Sequence, residues 1–253
     1  MIIAQVIGDL KIGGAERLFV NLANSLNADI VVILIGRGEI RRDLQQGLGS
    51  QIRVYESPVR KRALVTDLIR LARLLKKLNC AVVHTHMFWS NLYGSLAAAL
   101  ASVPVMVTSE HGRNEWKKPR HRWLERHVIS RIASRRLCVS RDILERRRDV
   151  DGVPHEKLEV APNGTPVPQL HDDEVERENV IGSVGRLVRE KDYPTLVEGH
   201  VLVVERGHNW RLEIVGEGPA KPDIEKAIRE HDVSDYVALV ELPHITVIVL
   251  AYN

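Results

Sequence analysis

Three features of this 253-residue sequence predict an α/β fold with a mostly parallel sheet. Short runs rich in valine and isoleucine alternate with longer stretches whose apolar residues recur at every third or fourth position, which is the pattern of strands connected by helices. An acidic segment with two prolines, Thr165–Asn179, interrupts this alternation. The alternation then resumes, so we expect two α/β units joined by a linker.

The composition is typical of a globular protein. Hydrophobic residues make up 44% of the chain and charged residues 27%, which is enough for a buried core. The longest apolar stretches end well short of the ~20 residues that a membrane-spanning helix needs. The opening MIIAQVIGDL has neither a basic leader nor a small-residue cleavage site, so we interpret it as a strand and not a signal peptide. Cys80 and Cys138 are expected to be buried thiols in a cytoplasmic protein.

The first unit is expected to contain seven strands and five helices. Strands are predicted where β-branched residues cluster, at Ile2–Ile7, Ile30–Ile35, Ile52–Tyr55, Ala81–Thr85, Val105–Ser109, Arg136–Val139 and Leu158–Ala161. Helices are predicted between them, at about 14–26, 62–78, 90–101, 120–133 and 141–149. In the second helix, five leucines at helical spacing are expected to form one buried stripe: Leu64, Leu68, Leu71, Leu75 and Leu78.

The second unit is expected to be smaller. Its predicted elements are strands at Val180–Val184, Arg211–Val215 and Val237–Val240 and helices at about 194–206 and 222–231. We therefore assign a first domain to 1–165, a linker to 166–179, a partial second domain to 180–241 and an apolar tail to 242–253. A sheet of so few strands provides little buried surface for helices on both of its faces.

A glycine-rich turn follows the first strand and opens the first helix, with the sequence Gly13-Gly14-Ala15-Glu16-Arg17. Glycines allow backbone N–H groups to approach an anion or a sugar there, and a helix N-terminus favours negative charge. The turn lacks the Lys-Ser/Thr of a P-loop and the GxGxxG of a dinucleotide site. A tight strand-to-helix turn without a ligand is the alternative interpretation.

Three histidines lie at strand ends in the first unit. His84 and His86 alternate along a strand and therefore face the same side. No carboxylate or cysteine accompanies them at metal-site spacing, so we expect no metal and favour a polar pocket or simple packing. His111 follows the fifth strand, where open α/β sheets build sites, and its imidazole could form a hydrogen bond with a sugar hydroxyl. A purely structural His111 is the alternative.

Two cations follow the first strand of the second unit. Arg186 comes directly after Gly185, and Lys191 lies shortly before a predicted helix. An arginine fork and a lysine point charge beside a helix N-terminus suit a diphosphate, although a solvated charged loop is the alternative. Gly216 and Gly218, after the next strand, form another glycine-rich turn at the same sheet edge.

Positive charge is concentrated in one segment, the basic block Arg113–Arg148. It holds 13 Lys and Arg residues against 4 Asp and Glu residues, whereas the whole chain carries a net charge of +3. Together with Trp116 and Trp123, this block suggests an anionic partner, either a membrane surface or a nucleic acid. No nucleic-acid-binding module is recognisable, so nucleic acid is disfavoured. A solvated helix face remains the alternative to both.

Six segments, in this order, resemble family 4 glycosyltransferases: GGAER, HTHMFWSNLYGSLAAALASVPVMVTSEHG, CVSRDI, VAPNGTPV, VGRLVREKDYPTL and RLEIVGEGP. The resemblance implies the two-domain GT-B fold, with an acceptor-side first domain. It also implies retaining transfer from a nucleotide-diphosphate sugar to a glycan or lipid-linked acceptor, without a metal or a separate cofactor. Such enzymes serve cell-surface polysaccharide or glycolipid synthesis, on the cytoplasmic side and often at the membrane.

By the same resemblance, His111 is the catalytic-site histidine near the transferred sugar. Arg186 and Lys191 are similar to the pair that holds the donor diphosphate, with Gly13 and Gly14 in the loop near it. Secondary pocket candidates are Glu16, His86, Asn163, Gly216 and Gly218.

The C-terminal part departs from the family pattern. The Glu-rich segment that contacts donor sugar and ribose in the family has no match, so we expect a shortened second domain. The last nine residues, ITVIVLAYN, instead resemble the first strand of family 2 glycosyltransferases, which have a different fold. Two functional hypotheses follow: an active glycosyltransferase, or a catalytically incompetent fragment that only binds phosphate-bearing ligands or a membrane surface.

Overall fold

The structure, a computed structural model, describes residues 1–36, 39–167 and 178–241. The chain divides into two compact units, Met1–Gln169 and Leu170–Asn253. The predicted tail at 242–253 and most of the predicted linker lie outside the described residues.

The first unit is built on a parallel sheet of seven strands, in the order β3-β2-β1-β4-β5-β6-β7. The strands are β1 Ile2–Ile7, β2 Asp29–Leu34, β3 Arg53–Glu56, β4 Cys80–His86, β5 Val105–Glu110, β6 Arg135–Cys138 and β7 Leu158–Val160. β1 and β4 are parallel neighbours, and the order in which strands are added to the sheet reverses between them, so the loops after these two strands leave the same sheet edge side by side. The predicted α/β class with a parallel sheet is confirmed.

Helices connect these strands: α1 Gly14–Ser25, α2 Leu64–Lys77, α3 Phe88–Leu100, α4 Pro119–Leu124, α5 Ser130–Ile132 and α6 Arg141–Asp149. The helix predicted at 120–133 is present as one continuous helical segment, 119–132, which contains a π-helical turn at Glu125–Ile129. The carbonyl of Glu125 accepts hydrogen bonds from the Ser130 hydroxyl at 2.6 Å and from Arg136 Nη1 at 3.3 Å. These polar groups displace the regular helical hydrogen bond, which periodicity cannot reveal.

The larger core packs α2 and α3 against one face of the sheet. Leu68, Leu71 and Leu75 are buried there, as predicted. Leu64 was expected in the same stripe, but this prediction is wrong, because Leu64 is the first residue of α2 and is 37% exposed. Cys80 and Cys138 are free and buried, which confirms the predicted buried thiols.

The second unit has a parallel sheet of three described strands in the order β10-β9-β8. Its elements are β8 Val180–Val184, α7 Tyr193–Glu205, β9 Arg211–Val215, α8 Lys221–Glu230 and β10 Val237–Val240. Both helices pack on the sheet face that carries Leu212 and Ile214. Among the described residues, this core is smaller than the larger core of the first unit.

Candidate functional site

The centre of the first unit's sheet carries a chain of hydrogen-bonded polar side chains. Gln5 of β1 lies opposite His84 of β4, and its amide nitrogen is 3.3 Å from His84 Nδ1. The amide oxygen of Gln5 is 2.8 Å from His86 Nε2. His84 Nε2 is 2.7 Å from the Ser109 hydroxyl, and His86 Nδ1 is 3.0 Å from His111 Nε2. Every ring nitrogen of His84 and His86 therefore has a protein partner.

The Gln5 amide fixes the position of each proton in this chain. Because the amide oxygen can only accept, His86 Nε2 must donate, and the neutral His86 ring then accepts at Nδ1. His111 consequently donates from Nε2 and presents a lone pair at Nδ1. That nitrogen is buried and has no hydrogen-bond partner among the described residues. An acceptor atom thus stands ready for a hydroxyl donor.

Burial keeps these rings neutral. It lowers the pKa of His111 from 6.5 to about 4. Burial, assisted by His111, lowers the pKa of His84 to about 4 as well. The pKa of fully buried His86 falls well below its ordinary value, through burial and through the neighbouring His84 and His111. At neutral pH the cluster therefore accepts and donates hydrogen bonds but carries no charge.

A cavity of about 350 Å³ opens over these histidines and is called here the histidine cavity. Its polar lining includes His86, His111 and Asn163, so three of the predicted site residues lie together. Gln5, His84 and Ser109 also line it, and apolar side chains of α1 and of the sheet form most of the remaining wall. A largely apolar pocket with a few converging polar groups is the usual form of a small-molecule site.

The predicted glycine turn lies at the start of α1, outside the lining of the histidine cavity. Gly13 is the N-cap of α1, and Glu16 is the acidic residue in the first turn of this helix. Glu16 is buried, and its carboxylate occupies the space that a Cβ at Gly13 would need. A side chain at Gly14 would meet no atom within 4 Å.

The loop that carries His111 is held by buried charges that sequence reasoning missed. Glu110 precedes His111 and accepts hydrogen bonds from Asn91 at 2.8 Å and from Asn114 at 3.0 Å. On the other side of His111, Arg147 Nη2 donates to the carbonyl oxygens of Gly112 and Arg113. Both ends of this short loop are therefore tied to the protein interior.

These contacts belong to a buried ionic network of three carboxylates and three cations. Its members are Glu110, Glu125, Asp151, Lys117, Arg136 and Arg147. Burial alone would raise the pKa of Glu125, but the charges of Arg136 and Lys117 outweigh it and hold that pKa at about 2.

Three cations of the basic block are therefore internal and neutralised, so the block presents less positive charge at the surface than its composition suggests. Strand alternation could have revealed one of them, because Arg136 faces the same side as buried Cys138.

In the second unit, the two predicted turns lie side by side at one sheet edge. The backbone N–H of Leu187 donates to the carbonyl of Glu217 at 2.8 Å, and that of Ala220 donates to Leu187 at 2.9 Å. Gly216 and Gly218 have positive φ angles of 155° and 156°, and a Cβ at either would collide with the Gly185 or Leu187 carbonyl. Glycine at these two positions thus has a steric basis.

Arg186 and Lys191 both lie in the exposed segment between β8 and α7. Within the described parts of the chain, neither side chain takes part in an ion pair. Their charges are thus not already neutralised by a described carboxylate. No helix in the described ranges is long and apolar enough to cross a membrane.

Comparison with known families covers most of the chain. The sequence model of Glycosyltransferase Family 4 matches residues 12–167, which is more than half of the chain. A second model, Glycosyl transferases group 1, matches residues 171–241.

Two curated glycosyltransferases are similar to this chain in sequence. The chain is 27% identical over 206 residues to the UDP-Gal:alpha-D-GlcNAc-diphosphoundecaprenol alpha-1,3-galactosyltransferase of Escherichia coli, covering 70% of this chain and 52% of that protein. It is 25% identical over 248 residues to the 2-deoxystreptamine glucosyltransferase of Streptomyces kanamyceticus, covering 79% of this chain and 61% of that protein. The chain spans between half and two thirds of the length of these two relatives.

Solved structures show the same fold. Anabaena Alr3699/HepE in complex with UDP superposes with a TM-score of 0.79 at 16% identity, over 96% of this chain and 70% of that chain. The apo lipopolysaccharide outer core galactosyltransferase WaaB gives a TM-score of 0.70 at 17% identity, over 96% and 69% of the two chains. The GT-B-like fold expected from the resemblance is thereby confirmed. From the family match over residues 12–167, the chain belongs to glycosyltransferase family 4.

Proposed function

We propose that this chain acts in the retaining transfer of a hexose from a UDP-sugar to a glycan or lipid-linked acceptor, in cell-surface polysaccharide or glycolipid synthesis. The observation that carries the proposal is the lone pair of His111 Nδ1, which is buried and without a partner among the described residues. Support for a UDP-sugar comes from the structural relatives, since HepE was solved with UDP-glucose.

His111 contributes orientation and not charge. A neutral imidazole that accepts from a sugar hydroxyl fixes the position of the transferred ring without holding an ion in a poorly solvated cavity. The largely apolar wall of the histidine cavity lowers the local polarity around this hydrogen bond, which strengthens it. Gln5 and His86 act through His111, because they determine which of its nitrogens accepts.

Arg186 and Lys191 bind the donor diphosphate in this proposal. Negative charge grows on the diphosphate as the sugar leaves, so cations beside it stabilise the transition state more than the ground state. Gly216 and Gly218 act through the backbone by keeping the adjacent turn close to the loop that carries Arg186. Gly13 and Gly14 lie near the donor phosphate in this proposal, at the N-terminus of α1, where a phosphate would also meet the buried carboxylate of Glu16.

Titration calorimetry of the 253-residue chain with UDP-glucose and UDP-galactose tests the diphosphate assignment. Arg186→Gln and Lys191→Gln are each expected to weaken binding by about 10-fold or more, the loss of a charge-assisted hydrogen bond. Arg189→Gln is the matched control, because Arg189 is an exposed cation in the same segment. If wild type and the three variants bound the UDP-sugars with equal affinity, Arg186 and Lys191 could not be the residues that bind the diphosphate.

An assay for release of UDP from the donor distinguishes an active enzyme from a fragment that only binds its ligands. Binding of a UDP-sugar without release, in the presence of lipid-linked glycan acceptors, would favour a catalytically incompetent fragment. Release that His111→Asn reduces without changing the affinity for UDP would favour transfer, with His111 acting on the sugar.

An anionic membrane surface is the partner that we propose for the exposed part of the basic block, which would place the protein at the cytoplasmic face of the membrane. Arg126 and Arg131 are exposed, and Trp123 beside them is 59% exposed. Cations flanking an exposed tryptophan suit the interfacial region of an anionic bilayer.

Sedimentation with phosphatidylglycerol vesicles tests this partner. The pair Arg126→Gln/Arg131→Gln should lower binding, whereas Arg53→Gln/Arg73→Gln, which removes two exposed arginines elsewhere, should not. If the two double variants bound vesicles equally well, the basic block would be a solvated surface without a membrane role. If the protein bound single-stranded nucleic acid in preference to vesicles, nucleic acid would replace the membrane as the partner.

A further inference from the structure

A second cavity of the first unit, of about 620 Å³, is separate from the histidine cavity and is called here the basic cavity. It lies between the end of the helical segment 119–132 and the loop that precedes β7, and its ionisable lining consists of Arg126, His127, Arg131 and Lys157. Segments that precede parallel strands meet at the amino edge of the sheet, whereas His111 follows the end of β5 at the carboxyl edge. The basic cavity is therefore distinct from the site described above.

The π-helical turn brings two of these cations to one side of the helix. Arg126 and Arg131 are five residues apart, and such residues point about 140° away from each other in a regular α-helix. Here the backbone N–H of Ser130 donates to the carbonyl of Glu125, so the turn takes in one residue more. Residues five apart then lie closer to the same side, and both arginines line the basic cavity. The turn thereby concentrates positive charge that the proposed transfer does not use.

Lys157 offsets the negative end of the same helical segment. An anion is disfavoured at a helix C-terminus, because the last carbonyl groups carry partial negative charge. Lys157 Nζ donates to the carbonyl of Ser130 at 2.5 Å and to that of Ala133 at 2.8 Å. An ammonium group has three N–H donors, so one remains for a ligand. The two bonds also hold the amine of Lys157 in place before a ligand arrives.

The loop before β7 supports the stem of Arg126. Gly152 in this loop has a φ angle of 67°, and a Cβ there would lie 3.1 Å from Cδ of Arg126. The side chain of Arg126 therefore lies against the backbone of Gly152, at the wall of the basic cavity.

No described carboxylate compensates the positive charge of the basic cavity. None of the described residues that line it is acidic. Within the described ranges, Arg126, Arg131 and Lys157 form no ion pair, whereas the nearby carboxylate of Asp151 is already paired with Arg147. Both arginines are exposed, so their guanidinium groups are accessible to a ligand from solution.

We infer that the basic cavity binds a phosphate dianion, either as inorganic phosphate or as the phosphomonoester group of a larger ligand. A phosphomonoester carries close to two negative charges at neutral pH and three acceptor oxygens. Each arginine can donate to two of these oxygens in fork geometry, and the remaining N–H of Lys157 adds a point charge. A carboxylate has one charge and two oxygens, so it would leave more of the positive charge uncompensated.

The inference does not rest on the proposed sugar transfer, because the basic cavity shares no residue with the proposed donor site. If the phosphate belongs to a lipid, the basic cavity gives the membrane partner proposed above a defined headgroup site. Both sources offer the same chemistry to Arg126, Arg131 and Lys157.

Amide NMR of the isotopically labelled full chain tests the site. Inorganic phosphate and glycerol 3-phosphate, titrated at constant ionic strength, should shift the amide signal of Gly152, whereas chloride should not. Arg131→Gln should weaken this binding by about 5-fold or more, because a charge-assisted hydrogen bond is lost. Arg126→Gln should weaken it similarly. Arg135→Gln is the matched control, since Arg135 is an exposed arginine at the same sheet edge that does not line the basic cavity.

Vesicles distinguish a lipid from a soluble ligand. Sedimentation with phosphatidic acid vesicles that exceeds sedimentation with phosphatidylcholine vesicles, and that Arg131→Gln reduces, would identify a lipid headgroup. Shifts at Gly152 with the soluble phosphates and no such sedimentation would identify a free phosphomonoester. Either result supports the site.

Three results would overturn the inference. The first is the absence both of a Gly152 shift with the soluble phosphates and of Arg131-dependent sedimentation. The second is a Gly152 shift of equal size with chloride. The third is an equal loss of phosphate affinity in Arg131→Gln and Arg135→Gln. Titration of the same variants with UDP-glucose keeps the two proposals apart, because the donor assignment depends on Arg186 and Lys191 and either assignment can fail alone.

Discussion

Arg147 Nη2 lies 2.9 Å from the carbonyl oxygen of Gly112, so a buried guanidinium on α6 holds the loop that presents His111. The same nitrogen is 2.7 Å from the carbonyl of Arg113, and Nη1 pairs with Asp151. Two backbone carbonyls and a carboxylate thus accept hydrogen bonds from the two terminal nitrogens of Arg147 away from water. The His111 loop consequently has a fixed shape before any ligand arrives.

Removing the charge of Arg147 should strongly destabilise the first unit. Arg147→Met keeps the approximate length of the side chain but removes the hydrogen-bonded partner of buried Asp151, which keeps only the longer ion pairs with Lys117 at 3.7 Å and Arg122 at 3.8 Å. The expected cost is about 3–5 kcal/mol in the free energy of unfolding. Urea unfolding followed by circular dichroism measures this cost. Arg148→Met is the control, because Arg148 is exposed and its ion pair, with Asp149, lies on the surface, so the change should leave the transition nearly unchanged.

Arg147→Lys separates positioning from stability. A lysine retains the charge for Asp151 but cannot reach both carbonyls in fork geometry. The variant should therefore recover much of the lost stability while UDP release still falls and the affinity for UDP-glucose stays unchanged. Full recovery of both stability and release would contradict a positioning role for Arg147.

The buried histidines should remain neutral at pH values well below those at which histidine ordinarily becomes protonated. The pKa of His111 is lowered to about 4 by burial, so its ring proton signals should show no titration down to about pH 5 in NMR spectra. Comparison of wild type with His111→Asn assigns the signals. A His111 midpoint near the ~6.5 of an unperturbed histidine would contradict the buried, hydrogen-bonded arrangement.

The same shifts make stability depend on pH in one direction. Folding lowers the pKa of His84 and His111 from 6.5 to about 4, so below about pH 6.5 the unfolded chain binds protons that the folded chain does not. The contribution of these two histidines to the free energy of unfolding is therefore complete above about pH 6.5 and is lost as the pH falls towards 4. The free energy of unfolding should decrease between about pH 7 and pH 5, and less steeply in His111→Asn. If the free energy of unfolding depended equally on pH in wild type and His111→Asn, the lowered pKa of His111 would not be a source of this pH dependence.

Much of the fold could be predicted because hydrophobic periodicity determines it. The valine and isoleucine runs of β1, β2 and β4 are buried on both faces, which is the signature of central parallel strands. The π-helical turn at Glu125 could not be predicted, because it depends on the Ser130 hydroxyl and on Arg136 from another strand. Periodicity describes one segment at a time, whereas these bonds join distant ones.

The site was predictable residue by residue but not as an arrangement. The position of His111 after a strand and its family resemblance marked it in the sequence. Gln5 was missed, although a glutamine within an apolar strand is itself a signal that a buried polar partner exists. Arg147 was counted as surface charge, because composition does not distinguish a buried cation from its exposed neighbour Arg148.

Glycine at position 216 should be required, whereas glycine at position 199 should not. Gly216→Ala imposes a positive φ on a side chain and drives its Cβ into the carbonyl of Gly185, so the second unit should lose more than ~1 kcal/mol of stability. Gly199→Ala should instead add about 0.5–1 kcal/mol, because Gly199 lies within α7 and a Cβ there meets no atom within 4 Å. Thermal unfolding of the two variants measures both signs. If Gly216→Ala were neutral, the two turns could not be packed as closely as the bonds from Leu187 and Ala220 require, and the support they give to Arg186 would be lost.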